Sequence, residues 1–133
     1  VSARFYILDE HHEPIPLTGP HAAHQWARWF EGALGIDSPD ARRKDKRRVA
    51  FTDLGWCTVS TVFLGIDHNF WGDGPPILFE TMIFANKAPD ETFPEEWEGM
   101  MRRYGTWAEA EIGHEEMVAE VRQGFWRKRA NGK

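Results

Sequence analysis

The chain has 133 residues, a net charge of −5 at pH 7, 41 % hydrophobic residues and 28 % charged ones. That is the composition of one folded domain large enough to bury a core without staples, and its mild acidity argues against a general nucleic-acid binder. A single cysteine, Cys57, excludes an intrachain disulfide framework and points to a reducing compartment, and no stretch approaches the roughly 18 apolar residues of a membrane span.

The opening VSARFYILDE lacks the basic-then-apolar order of a secretory signal, so a cytoplasmic location is expected. Residues 4–8 (RFYIL) predict a short first strand. Residues 9–19, punctuated by Pro14, Pro16 and Gly19, read as a turn-rich connection. Pro20 opens a helix whose apolar face is Ala22, Ala23, Trp26, Ala27, Phe30, Ala33 and Leu34, at three- and four-residue steps, and Gly35 is placed to end it. Residues 37–46 read as an exposed loop that holds the start of a basic run.

Residues 49–52 begin a second strand, and Asp53, Leu54 and Gly55 supply a turn. Residues 56–64 and 77–84 are β-branched and aromatic, and they flank a long loop with Asp67, His68, Asn69, two glycines and two prolines. That pattern predicts a long β-hairpin with polar side chains at its tip. Its strands are apolar or small on both faces, as central strands are. Residues 97–104 are read as an edge strand before a helix. Thr106 and Glu109 form a capping box that starts this helix, which is expected to run to about Gly124. Its inward stripe is Trp107, Ala110, His114, Met117, Val118 and Val121. The expected architecture is α+β: a largely antiparallel four- to five-stranded sheet with two helices packed on one face. Residues 1–126 are expected to make the domain, and 127–133 a basic, disordered tail.

Three separated segments carry a family likeness: WARWFE at 26–31, VSTVFLGIDHNFWGDGPPILFETMIF at 59–84 and RYGTWAEAEIGHEEMV at 103–118. Together they resemble the shared motifs of a family of small uncharacterised proteins abundant in bacteriophage genomes and prophages. Tyr104, Thr106 and the pair Gly113-His114 fall where the family pattern has them. The resemblance leaves out the basic run at 42–47 and the tail after Gly124. It implies a phage-type origin and a cytosolic role in an infected or lysogenic bacterial cell. That family carries no established activity, so no catalytic residue is transferred from it.

Three groups of residues could carry chemistry. Asp67, His68 and Asn69 lie at the hairpin tip, and with Glu80 and His114 they could converge as metal ligands or as an acid–base pair. The structural alternatives are a hydrogen-bonded core role for His114, a salt bridge from Glu80 to Arg102 or Arg103, and turn capping by Asp67 and Asn69. His68 and His114 lack a partner at recognised ligand spacing, and His21 and His24 on the first helix lack a third ligand. Phe70 and Trp71, two large rings in a polar loop, either tuck over the sheet edge or anchor a partner. The basic run Arg42, Arg43, Lys44, Lys46, Arg47 and Arg48 is a solvated loop or a contact to nucleic acid without sequence reading.

No nucleotide-binding or nucleophile motif is present. The expected function is therefore that of a non-enzymatic interaction protein acting on a host or phage macromolecule through Asp67, His68, Asn69, Phe70 and Trp71, with no cofactor. The rival is a small metal-dependent hydrolase or nuclease using His68, His114 and Glu80. A homodimer through an exposed aromatic face or an unpaired edge strand is a further expectation.

Overall fold

The computed structural model describes residues 3–34, 45–71, 73–86 and 100–130, with side chains as far as Gly124. Among these residues the elements run β1 (Phe5–Leu8), β2 (Pro14–Leu17), α1 (Ala22–Leu34), β3 (Arg48–Asp53), β4 (Cys57–Phe63), β5 (Phe79–Ala85), β6 (Met101–Tyr104) and α2 (Trp107–Ala130). Strands β3 to β6 form one antiparallel sheet in sequence order, and β1 and β2 form a separate antiparallel pair. The fold is α+β, with both helices against the sheet.

Register explains which side chains the helices cover. In the central pair, Val59 faces Ile83, Thr61 faces Thr81 and Phe63 faces Phe79. Opposed residues of an antiparallel pair share a face. These six, with Cys57, are fully buried. Helix α2 lays Ala110, His114, Met117 and Val121 on that face, all at most 1 % exposed. Their spacing of four, three and four residues is one helical stripe. Trp29 and Phe30 of α1 bring their rings to Phe63 on the same side, at centroid distances of 5.8 and 6.5 Å.

The start of α2 follows its sequence. Thr106 Oγ1 accepts from the Glu109 amide at 3.1 Å, and the Thr106 hydroxyl donates to Glu109 Oε1 at 3.1 Å. The helix continues to Ala130, past the end expected near Gly124.

One connection read as turn-rich is a strand. Pro14 and Pro16 stand at alternate positions of β2, opposite Leu8 and Tyr6. The Asp9 amide donates to the Glu13 carbonyl at 3.0 Å. By the same alternation the amides of Ile15 and Leu17 face β1, so both proline nitrogens point outward, where no ladder bond is lost. On its other side β1 joins the loop after β4. Phe5 bridges Ile66, Tyr6 N donates to Gly65 O at 2.8 Å, and Asp67 N donates to Arg4 O at 3.0 Å. The first strand is thus tied to the hairpin loop instead of extending the main sheet.

Two glycines are required by close approach. Gly65 has φ +74°, and a Cβ there would lie 2.6 Å from the Trp26 Nε1 atom. A Cβ at Gly113 would overlap the Tyr104 ring, which lies against α2 at that point. Gly113→Ala is expected to lower unfolding stability by about 1–3 kcal/mol, and Gly65→Ala by more, because its backbone is also left-handed. Gly32→Ala, at an open position of α1, should raise it by about 0.5–1 kcal/mol. Urea denaturation of the three variants checks the order.

Candidate functional site

The hairpin loop is built around two side chains. Asp67 Oδ1 accepts from the Asn69 amide at 2.8 Å and from the Ile77 amide at 2.9 Å. Asn69 Nδ2 donates to the carbonyls of Asp73 and Pro75, at 2.8 and 3.1 Å. The His68 amide donates to Ile77 O at 2.9 Å, closing the neck of the loop. Asp67 and Asn69 therefore brace the turn across its width. Beyond that brace Phe70 is 68 % exposed and Trp71 is 91 % exposed. Neither ring tucks over the sheet edge. The His68 ring donates through Nδ1 to its own chain, at Ile66 O, 2.7 Å away. Its centroid lies 5.6 Å from that of Phe70.

His114 is engaged elsewhere, in the core between α2 and the sheet. It is 1 % exposed, and both ring nitrogens are engaged: Nε2 with Thr52 Oγ1 at 2.8 Å and Nδ1 with Thr61 Oγ1 at 2.7 Å. Thr61 Oγ1 in turn meets Thr81 Oγ1 at 2.6 Å. One imidazole on α2 thus joins hydroxyls from β3, β4 and β5. Burial holds its pKa below the ordinary histidine value, outweighing the neighbouring Glu115 carboxylate.

Glu80 stands on the other face of the sheet. It pairs in register with Val62 and Arg103, outside the set that faces the helices. Arg103 Nε donates to Glu80 Oε2 at 3.0 Å, the salt bridge anticipated from sequence. The proposed convergence of His68, His114 and Glu80 does not form, because their elements carry them to a loop, a sealed core and the opposite sheet face. Among the described residues, no group of three or more His, Cys, Asp or Glu side chains is placed to hold a metal. The Cys57 thiol is fully buried, and burial, followed by the Asp53 charge, pushes its pKa up to about 11. A thiol so protonated is no nucleophile.

Of the basic run, Arg42, Arg43 and Lys44 lie outside the described residues. Lys46 is exposed. Arg47 is forked onto Asp45, at 3.1 and 2.9 Å, and sits 5.3 Å from the centroid of the Phe30 ring. The Arg48 guanidinium lies 4.6 Å from the centroid of Phe51. His12 has φ 65° and stacks on Trp107 with a centroid distance of 3.8 Å.

One feature escaped sequence reading. A groove of about 380 Å³ runs beside the hairpin loop, lined by Tyr6, Pro14, Pro76, Ile77, Leu78 and Tyr104, with Arg103 and Glu109 among its polar residues. Burial, then the Asp67 charge, raises the pKa of the Tyr6 phenol. The pair Pro75-Pro76 was the available signal, since two prolines in succession make a stiff apolar wall. Comparisons with protein-family models, curated proteins and solved structures return no match for this chain.

The sealed imidazole sets a pH dependence. Unfolded, His114 takes a proton at about pH 6.5, and folded it does so only at lower pH. Between those values the unfolded chain binds more protons. The stabilising contribution is therefore complete above the unfolded value and is lost as pH falls toward the folded one. Urea midpoints should fall from about pH 7.5 to about pH 5, and His114→Gln should flatten that slope. Parallel slopes for the two proteins would refute the assignment.

Proposed function

We propose that this chain is a small phage-type interaction protein, acting in the bacterial cytoplasm without a catalytic role of its own. Its contact surface is the tip of the β4–β5 hairpin. Phe70 and Trp71 are the anchors, and Asp67, His68 and Asn69 are the frame that holds them. The carrying observation is that Trp71 is 91 % exposed on a loop whose backbone is tied at four points by Asp67 and Asn69. A large ring left in water is stabilised by nothing in its own fold, whereas in a partner's pocket it can supply much of the binding energy. Bracing the loop reduces the ordering entropy lost on binding. The engagement of His114, Glu80 and Cys57 in the fold also supports a binding role over hydrolysis.

Cross-linked capture from bacterial lysate, quantified for the wild type and for Trp71→Ala, tests this reading. The captured macromolecule should bind the variant at least tenfold more weakly, since an anchor of this kind is worth about 2 kcal/mol or more. Equal capture by both proteins, or no reproducible capture by either, would count against the loop.

A further inference from the structure

The hairpin loop holds an Asp73-Gly74 pair. The other described aspartates use their carboxylates inside the fold. Asp9 Oδ1 accepts from the His11 and Glu13 amides, and Asp45 is forked by Arg47. Asp53 Oδ1 accepts from the Gly55 amide and Asn86 Nδ2, and Asp67 Oδ1 accepts from the Asn69 and Ile77 amides. Asp73 is exposed, and among the described residues its carboxylate has no such partner. Gly74 is exposed as well, and its amide donates to no acceptor among the described residues. We propose that Asp73 is a site of spontaneous isomerisation, where the chain converts to isoaspartate through a cyclic imide. That chemistry needs no partner and is independent of the contact role proposed above.

The step balances with solvent alone. Gly74 N bonds to Asp73 Cγ, the amide proton leaves with the carboxyl hydroxyl as water, and a five-membered ring closes. Water then adds to one of the two ring carbonyls. Addition at Cγ breaks the new bond and restores aspartate. Addition at the main-chain carbonyl carbon breaks its bond to Gly74 N instead, so the chain runs on through Cβ and Cγ. An amide hydrogen held in a ladder or turn must be released before the ring forms, and Gly74 has none to release. Glycine also puts no Cβ beside the attacking nitrogen, and it adopts the φ of +94° found here without steric cost. The product falls on the frame of the loop. The Asp73 carbonyl that Asn69 Nδ2 holds at 2.8 Å becomes part of a free carboxylate. The main chain gains one carbon before Pro75, whose carbonyl Asn69 Nδ2 holds at 3.1 Å. Isomerisation therefore acts directly on the two acceptors that Asn69 bridges.

Incubating the full chain for several weeks at neutral pH and body temperature tests the site. Peptide mapping with electron-transfer fragmentation separates isoaspartate from aspartate at equal mass. It should find isoaspartate at Asp73 at least tenfold above Asp53 and Asp67. The rate should lie within tenfold of that in a synthetic peptide of residues 67–78, where no fold shields the pair. Asp73→Glu keeps the carboxylate but demands a six-membered ring, so it should abolish the product while leaving the circular dichroism spectrum unchanged. Asn131-Gly132 also forms isoaspartate, but with loss of ammonia and gain of water, a change of mass that the mapping resolves. Background levels at Asp73 equal to those at Asp53 and Asp67 overturn the proposal. So does a folded chain that isomerises more than tenfold slower than the peptide, because its fold then protects the pair.

Discussion

The contact between His114 and the threonines beneath it organises the rest of the molecule. It is a polar belt laid across an otherwise apolar interface. On one side lie Cys57, Val59, Ile83, Met117, Val118 and Val121, and on the other Leu8, Phe63, Leu78, Phe79 and Ala110. Apolar packing is tolerant of small slides, because one methyl contact replaces another. A buried imidazole is not: displaced by one turn of helix, it would leave ring nitrogens and hydroxyls unpaired, at about 1–3 kcal/mol each. The belt therefore sets where α2 stops along the sheet, and with it the position of Trp107, of Tyr104 against Gly113 and of the groove wall at the β6–α2 junction.

The same constraint reaches the loop. Tyr104 O accepts from the Leu78 amide at 3.0 Å, and Leu78 O accepts from the Leu64 amide at 2.7 Å. The seating of α2 on β6 is thereby passed to both arms of the hairpin just before they part. Beyond that point β1 takes over, bonded to residues 65–67 along its free side. A surface loop with so many backbone attachments presents its rings from a fixed platform, which is the condition under which exposed aromatics are useful for recognition.

Much of this was legible in the residues. The β4–β5 hairpin followed from β-branched runs around a Gly/Pro loop, the start of α2 from Thr106 and Glu109, and the inward stripe of α2 from its spacing. The turn-bracing roles of Asp67 and Asn69 and the Glu80–Arg103 pair were among the alternatives that local chemistry offered. What escaped needed tertiary knowledge. Pro14 and Pro16 read as breakers because local rules do not know which side of a strand will face a neighbour. Thr52, Thr61 and Thr81 read as small residues on central strands, and only the register of three strands under one helix makes them partners of His114. The groove was hidden for the same reason, since its walls come from β1, β2, the hairpin loop and the β6–α2 junction. Exposure of Trp71 could be stated only as one of two outcomes, because sequence does not say how a loop folds back.

The two outward-facing proline nitrogens of β2 have one more effect. A strand at the border of a sheet normally recruits a neighbouring chain through its spare amide hydrogens, the first step toward runaway fibrillar stacking. At Pro14 and Pro16 those hydrogens do not exist. The fold has in this way closed one route to polymerisation: the small β1–β2 ribbon is not lengthened strand by strand at its proline edge.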